Sequence, residues 1–378
     1  MSVEQSERKG GPSALVDVTV VDCDIHTAPR SPEEFASYIP EPWRSRNWDR
    51  AVYAANSAAL YTAPQAGPKL TGGRMDARPP DGGPVASSPE FLEQQLFRDA
   101  GVDYGIIEPL VVRPMANPEH EAAVAAGANE WLSATWLGKY NAHGRYRGAL
   151  RVCSADPKLA AAEIDRWKGH PYFVEVMVNP YDASPLGNPQ FDPIFEAATR
   201  CDIAVALHVS RSPGMHLLTP VGFASYFAEH TGVSYPLAYM THLVSLLCEG
   251  TFEKFPTLRF AVVEGGFTWL PGVMGKLDRL WRSLGSEIPN VRRPPSEYLA
   301  EHVRFTTQPI DEPVDPAEFQ RIFDWFDYSR LLMFSTDYPH WDFDNPRQVI
   351  ARFPASVRDR VATKNALEFY RLPATRTA

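Results

Sequence analysis

The sequence predicts a (β/α)8 TIM barrel, an α/β fold, with a long irregular insertion after its first strand. Apolar strand-like runs alternate with helix-like segments along most of the chain, which indicates a parallel sheet covered by helices. Eight such runs occur in 378 residues, and this number favours a closed barrel over an open sheet. Acidic or imidazole side chains follow several runs, and the sites of this fold lie at the carboxyl ends of its strands.

The predicted strands are short runs rich in Val, Ile, Leu and Phe, which suit a buried sheet. They are Leu15–Val21, Tyr104–Val112, Tyr146–Val152, Phe173–Val178, Ile203–Leu207, Leu258–Val263, Val303–Thr306 and Leu331–Phe334. Helical periodicity predicts a helix after most of them. These helices are Asn117–Trp136, Pro157–Trp167, Phe191–Thr199, Pro236–Glu249, Leu270–Leu284 and Pro316–Phe326.

The polar segment 1–13 is expected to be a flexible tail, and residues 14–378 to form one barrel domain. The insertion covers residues 40–89 and is rich in Pro and Gly. Long loops inside a compact domain are usually functional. This one contains Trp48, Tyr53 and Tyr61, side chains that a free linker does not need. We therefore expect it to act as a lid over the barrel mouth or as a subunit interface.

The composition is that of a soluble globular protein, with 44% hydrophobic and 22% charged residues. The net charge is −9 and no basic cluster occurs, so nucleic-acid and membrane partners are not expected. No apolar run approaches the roughly 18 residues that cross a bilayer. Four cysteines without CxxC spacing suggest free thiols in a reducing cytoplasm.

Four strand ends carry groups that bind metals. Asp24 and His26 follow the first run, and residues at i and i+2 of a strand share a face. His208 follows the fifth run, Glu264-Gly-Gly the sixth and Asp337 the eighth. Alone, each has a simpler explanation, such as a helix cap for His208 or Glu264 and a turn for Asp337. Together they indicate one divalent-metal site in the barrel mouth.

The motifs resemble those of the amidohydrolase superfamily, in the branch named after aminocarboxymuconate-semialdehyde decarboxylase. The resemblance runs from about Val20 to about Tyr370. The stretches that carry it are Val21-Asp-Cys-Asp-Ile-His26, Gly250-Thr-Phe-Glu-Lys-Phe-Pro256, Val263-Glu-Gly-Gly-Phe-Thr-Trp-Leu-Pro271, Thr306-Thr-Gln-Pro309 and Phe334-Ser-Thr-Asp-Tyr-Pro-His-Trp-Asp342. They are typical of the family and not of one reaction.

The resemblance implies that Asp24, His26, His208 and Asp337 hold the metal. Zinc is the first expectation, with manganese or iron as alternatives. Relatives usually carry a His at the end of strand six, where this chain has Glu264. An ionised Glu suits a general base but not a proton donor. Glu264 is also a candidate metal ligand, and a second ion is a further possibility with His242 or His340 nearby.

Other candidate site residues have structural alternatives. His242 is a catalytic candidate or a packed helix histidine. Arg304 is a candidate for orienting a substrate carboxylate or a partner in an internal salt bridge. His340 is a substrate-binding candidate or a stabiliser of the last loop. Trp269 is a candidate wall of an aromatic pocket or a core residue.

The first functional hypothesis is a metal-dependent lyase or hydrolase, such as a decarboxylase, that acts on a small carboxylated or aromatic molecule. The second is a subunit of an oxygenase with a dinuclear Mn/Fe site, an activity that the resemblance also implies. The third is a non-catalytic barrel that supports a homologous partner, although all the ligand positions are filled. Homo-oligomers, or pairing with a homologous barrel, are expected because relatives commonly associate.

Overall fold

Eight parallel strands form the barrel, each hydrogen-bonded to the next in chain order. The computed structural model describes residues 15–17, 19–46, 74–112, 115–179, 184–208, 228, 232–233, 235–311, 313 and 315–377. Strand β1 (Leu15–Asp17) lies outside the barrel. The barrel strands are β2 (Val21–Ile25), β3 (Tyr104–Ile107), β4 (Tyr146–Arg151), β5 (Phe173–Val178), β6 (Ala204–His208), β7 (Phe260–Val263), β8 (Val303–Thr306) and β9 (Leu332–Met333).

The last barrel strand returns to the first and nearly closes the barrel. The Cys23 amide donates to the Phe334 carbonyl at 3.0 Å, and the His26 amide donates to the Tyr338 carbonyl at 2.7 Å. A barrel has no long open edge, and all eight carboxyl ends surround one mouth. The predicted fold class is therefore confirmed.

The predicted position of the first strand is wrong. Leu15–Asp17 pairs antiparallel with β10 (Thr375–Thr377), and the barrel strand starts only at Val21. Asp22 and Asp24 lie inside β2, and because acidic residues are rare within buried strands, the sequence pattern placed the end of the strand before them. Asp22 is tolerated because it accepts hydrogen bonds from the Thr336 amide at 2.9 Å and from its hydroxyl at 2.5 Å. A buried carboxylate needs such donors.

Helices cover the outside of the barrel. They are α1 (Pro32–Ser37), α2 (Trp43–Arg46), α3 (Pro89–Leu92), α4 (Pro118–Ala134), α5 (Pro157–Arg166), α6 (Asp192–Cys201), α7 (Tyr235–Cys248), α8 (Thr251–Lys254), α9 (Leu270–Leu284), α10 (Pro295–His302), α11 (Pro316–Trp325), α12 (Pro346–Ile350) and α13 (Asn365–Tyr370). The helix α3 continues as a π-helix, Glu93–Ala100. The six predicted helices are all present, whereas seven mostly short helices were not predicted: α1, α2, α3, α8, α10, α12 and α13.

Many of the 35 prolines begin helices. Asn117, Asp156 and Asp315 each cap a helix through the side chain and are followed by Pro at the first helical position. Proline lacks an N–H, but the N–H groups of the first helical turn have no acceptor within the helix, so none is lost there. The acceptor side chain before it binds the free amides that follow. These pairs fix where the helices start.

The amino end of the barrel is plugged by the C-terminal helix. Phe369 and Tyr370 of α13 belong to the same buried apolar cluster as Val21, Ala206 and Val263 of the barrel strands. These side chains are at most 4% exposed. The plug leaves the opposite, carboxyl end as the barrel's mouth.

The C-terminal part of the insertion, which the structure describes from Arg74 onward, packs on the loop after β9. The Arg74 amide donates to the Pro339 carbonyl at 2.8 Å, and the Arg74 guanidinium lies 4.1 Å from the centre of the Phe343 ring. Residues 47–73 are outside the described residues, as is the expected tail 1–13. The lid or interface role of the insertion therefore stays a prediction. In the described part of the chain, no helix is long and apolar enough to cross a bilayer.

Phe369→Ala should destabilise the barrel by about 3–5 kcal/mol, because it leaves a cavity in the plug at the amino end. Urea unfolding followed by circular dichroism measures the change. Leu284→Ala is the control, since Leu284 is 45% exposed at the end of α9, and a surface change of this kind costs about 0.5 kcal/mol or less. Equal midpoints for the two variants would show that α13 does not stabilise the barrel.

Candidate metal centre

Carboxylates and imidazoles from four barrel strands meet at the mouth. The His26 Nε2 atom lies 3.1 Å from Asp24 Oδ1, 3.0 Å from Asp337 Oδ1 and 3.5 Å from Glu264 Oε1. The His208 Nε2 atom lies 3.5 Å from Glu264 Oε1 and 3.8 Å from Asp24 Oδ1. The structure thus brings together all five residues that the sequence singled out as metal ligands.

A bulge in β2 orients the side chains of its two candidate ligands, Asp24 and His26. The register of β2 against β3 shifts between Asp22 and Ile25, and bulges re-aim side chains in this way. The His26 Nδ1 atom is 2.9 Å from the Glu108 carbonyl oxygen. Since a carbonyl accepts, Nδ1 carries a proton, and in the neutral ring this leaves the Nε2 lone pair facing the cluster.

Glu264 and Asp337 adopt a backbone conformation that side chains rarely take, with φ of 57° and 55°. Such strain of about 1–3 kcal/mol persists where the surroundings enforce it, often at functional sites. The glycines after Glu264 are required sterically. A Cβ on Gly265 would lie 2.4 Å from a Val262 methyl, and one on Gly266 would lie 2.4 Å from Asp311 Oδ2. The Gly pair therefore shapes the turn, and Glu264 does not cap the next helix, whose N-cap is Trp269.

The electrostatics of the cluster follow from burial and mutual contact. Burial raises the pKa of Asp24 and of Asp337 well above the usual range, and the neighbouring carboxylates add to this. Burial lowers the pKa of His208 to about 4. Burial opposes ionisation of Glu264, but His208, His26 and His340 hold its pKa well below the usual range.

The donors present fit a divalent cation. Both Asp24 carboxylate oxygens, His26 Nε2 and Glu264 Oε1 are buried without a hydrogen-bond partner. Buried polar atoms of this kind are costly, and a cation would satisfy them. Asp24, His26, His208 and Glu264 offer one ligand atom each within 4.8 Å of one another. Carboxylate and imidazole donors suit Mn²⁺, Fe²⁺ or Zn²⁺.

His340 joins the cluster from the loop after β9. Its Nδ1 atom bonds to Asp337 Oδ1 and lies 3.7 Å from Glu264 Oε1. Trp269 lies beside the site and not within it. Its indole donates to the Gly265 carbonyl at 3.0 Å and packs edge-on against Phe305. Its substrate-binding role stays a prediction.

His242 and Arg304 are not brought to the cluster. His242 is buried in α7, and its Nδ1 atom accepts from the Leu186 amide at 3.1 Å, which corresponds to the packed helix histidine. Arg304 points to the amino end of the barrel. It donates to the Val303 carbonyl at 2.7 Å and lies 6.0 Å from the Phe369 ring in the plug. The expectation that Arg304 orients a substrate at the mouth is therefore wrong, because Arg304 is the second residue of β8 and the mouth lies at the other end of the strand.

Sequence analysis missed a buried polar column below the cluster. Glu108 and Glu175 are fully buried, and burial raises the pKa of both carboxyl groups above the usual range, with the charge of Glu175 adding to the effect at Glu108. The Tyr370 hydroxyl donates to Glu175 Oε2 at 2.8 Å. At the top of the column, Glu108 Oε2 lies 3.8 Å from His208 Nε2. The column thus connects the plug to the mouth.

A buried arginine balances part of this charge. Arg151 is 0% exposed, and it donates to the Val112 carbonyl at 3.1 Å and to Asn179 Oδ1 at 3.3 Å. Burial lowers its pKa to about 10, against the attraction of Glu108. Glu108 directly follows β3, so the same strand-end rule applied to a shorter strand would have found it. The predicted strand ran on to Val112 and placed Glu108 inside it.

The family model described as Amidohydrolase matches residues 21–372. The chain belongs to this amidohydrolase family, which confirms the resemblance inferred from the sequence motifs.

Among characterised relatives, the gamma-resorcylate decarboxylase of Polaromonas sp. (strain JS666) is 26% identical over 246 residues, covering 60% of this chain and 71% of the relative. The 5-carboxyvanillate decarboxylase of Sphingomonas paucimobilis superposes with a TM-score of 0.68 at 20% identity, covering 94% of this chain and 100% of that one. A dihydroxybenzoic acid decarboxylase of Polaromonas sp. JS666, solved with manganese and 2-nitroresorcinol, gives 0.61 at 18% identity, covering 94% and 97%. These structures share the fold, and the ion in the last is manganese; they give zinc no support.

His208→Ala should lower the affinity for divalent metal by more than about 100-fold, a loss larger than that of a merely supporting residue. The fold should survive, because the change removes a polar side chain from the edge of the mouth. Elemental analysis after dialysis and circular dichroism measure the two effects. His170→Ala, a half-buried histidine outside the cluster, is the matched control. Full metal occupancy in His208→Ala would exclude it as a ligand.

Glu175→Gln should change how stability depends on pH. Burial raises the pKa of Glu175 to about 7 from its usual 4.5, so the folded state binds the extra proton and loses stability as pH rises through this interval. Glutamine keeps the hydrogen bond from Tyr370 but does not titrate. Relative to wild type, the variant should gain about 2–3 kcal/mol between pH 5 and pH 8. Urea unfolding at both pH values measures this, and parallel curves would contradict it.

Proposed function

We propose that this chain is a metal-dependent decarboxylase that acts on a small aromatic carboxylate. The observation that carries the proposal is the cluster of Asp24, His26, His208, Glu264 and Asp337 at the mouth of an amidohydrolase-family barrel. Its decarboxylase relatives act on carboxylated phenols, which supports the substrate class. A bound divalent cation supplies a Lewis acid that polarises a substrate oxygen.

In the proposed reaction the bond between the ring carbon and the carboxylate breaks. Its electron pair stays on the ring carbon, carbon dioxide leaves, and the ring carbon takes a proton from solvent water at the mouth. Buried donors on Asp24 and His26 hold the cation, and the plug at the amino end restricts the substrate to the mouth. Trp341 follows His340 in the loop after β9 and is 51% exposed, so we expect its ring to offer a surface to an aromatic acid.

Glu264 acts as a base in this proposal. Contacts with His208 and His26 hold it ionised, so it accepts a proton from a phenolic hydroxyl or from water and does not protonate the ring. This is the main departure from relatives with a histidine at the position. The same property favours hydrolysis of an ester or amide as a second candidate, with Glu264 as base to water.

The test uses purified protein reconstituted with Mn²⁺ or Zn²⁺ and a panel of hydroxybenzoates and methoxyhydroxybenzoates. Release of carbon dioxide with formation of the phenol supports decarboxylation. Hydrolysis of aryl esters without decarboxylation would support the second candidate, and consumption of dioxygen would indicate an oxygenase. No turnover with any metal and any compound of the panel would count against the proposed substrate class.

Glu264→Gln should lower kcat/KM at least ~10²-fold, the lower end of the range for acid–base catalysis. The substitution keeps the shape of the side chain and removes its charge. Glu287→Gln is the control, because Glu287 is exposed in the turn that follows α9, and it should leave kcat/KM unchanged. Near-normal turnover in Glu264→Gln would show that Glu264 is not the base in the reaction.

A further inference from the structure

Two buried hydrogen-bond donors at the barrel mouth have no acceptor in the described part of the chain. They are the Asn179 Nδ2 atom and the Arg151 Nε atom. Asn179 is 2% exposed and Arg151 is 0% exposed, and a buried donor without an acceptor is costly. On the metal-binding side of the mouth, the unpartnered atoms of Asp24 and Glu264 are acceptors. Those acceptors suit a cation, whereas the two donors suit an oxygen atom of a bound anion.

The register of the sheet places Asn179 beside His208, a candidate metal ligand. Val178, the last residue of β5, is paired with Leu207 of β6. The residues that follow them, Asn179 and His208, therefore lie level with each other on strands about 4.8 Å apart. Because side chains alternate between the two faces of a sheet, these two side chains project to the same face. An oxygen atom bound close to His208 is thus within reach of the Asn179 amide.

Arg151 fixes which end of the Asn179 amide is left for a ligand. The Arg151 Nη2 atom donates to Asn179 Oδ1 at 3.3 Å, and because a guanidinium has donors only, the amide oxygen must face it. The same Nη2 atom is tied to the loop after β3 by its hydrogen bond to the Val112 carbonyl at 3.1 Å. The Asn179 backbone N–H donates to Ser154 Oγ at 3.3 Å, so the backbone is held as well. Nδ2 is therefore the end of the amide that remains for a ligand.

The charge of Arg151 favours an anion at the same place. No carboxylate of the described residues forms a salt bridge with its guanidinium, although Glu108 and Glu121 attract it. A buried charge without a direct partner is costly. A carboxylate bound to Asn179 would lie beside the guanidinium that holds the amide and would offset part of this cost.

We propose that Asn179 is a substrate-binding residue whose Nδ2 atom donates to a carboxylate oxygen of an aromatic acid, and that Arg151 is the positioning residue that orients its amide. The inference rests on the proposed function for the class of substrate. It predicts selection of a carboxylate over a primary amide. An amide NH2 group turned toward Nδ2 would set donor against donor, and the opposite orientation would turn that NH2 group toward the cation.

Binding, and not turnover, tests this inference. Isothermal titration calorimetry on Mn²⁺-loaded protein gives dissociation constants for 2-hydroxybenzoate and 2-hydroxybenzamide, which have nearly the same shape. Wild type should bind the carboxylate more tightly. Asn179→Asp keeps the shape of the side chain and an oxygen for Arg151, but it replaces Nδ2 by a second oxygen. It should weaken binding of 2-hydroxybenzoate at least ~10-fold, since a charge-assisted hydrogen bond becomes a repulsion, without weakening binding of 2-hydroxybenzamide.

Asn179→Ala removes the donor without adding a charge. It should lower the preference for the carboxylate, while the Mn²⁺ content measured by elemental analysis stays at the wild-type level. Arg151→Met should lower the same preference, because the amide is no longer oriented. Asn290→Asp, at an exposed residue of the loop before α10, is the matched control and should keep both dissociation constants.

A wild type that does not prefer 2-hydroxybenzoate, or an unchanged ratio of the two constants in the Asn179 variants, would overturn the substrate-binding role. An unchanged ratio in Arg151→Met would overturn the positioning role. A preference that depends on Asn179, in a protein that decarboxylates no compound of the panel, would instead refute the proposed function alone.

Discussion

Crowding of like charges in a dry space is the constraint on which the barrel mouth depends. Carboxylates from β2, β7 and β9 converge where water is largely excluded, and ions of the same sign at such short range repel strongly. The backbone therefore fixes the position of each carboxylate. A bulge in β2 orients Asp24, and left-handed backbone conformations orient Glu264 and Asp337. The imidazoles between the carboxylates offset part of this repulsion. A bound cation would offset more of it, so the cluster of carboxylates favours cation binding at the mouth.

The interior below the mouth extends this polar character where a (β/α)8 barrel is usually filled with branched apolar side chains. Glu108 and Glu175 replace such residues, and Tyr370 satisfies the lower one from the C-terminal helix. The helix that plugs the amino end thus also supplies a hydrogen bond to the barrel interior. Packing at the base and electrostatics at the mouth are connected through these three side chains.

Much of the fold could be predicted from local patterns, because helix periodicity and caps are short-range signals. Leu270–Leu284 has both ends where the sequence predicts them. Short helices such as Pro295–His302 were missed because two turns give too little periodicity. The donors at strand ends were found by position, since every carboxyl end reaches the same mouth. Glu108 was missed because its strand ends at Ile107, five residues before the end of the apolar run at Val112. Arg304 was misplaced because only the closed barrel shows which end a side chain faces.

The pairing of Leu15–Asp17 with Thr375–Thr377 brings the two ends of the described chain side by side at the surface. Neighbouring termini allow a protein to be joined end to end and reopened elsewhere. A short flexible peptide that joins these two strands would make the chain a continuous ring. A new N-terminus could then be placed in an exposed turn such as the one at Ala142, which lies between α4 and β4. The order of the eight barrel strands around the ring would be unchanged, so the mouth would be built from the same neighbours although its strands would be synthesised in a different sequence.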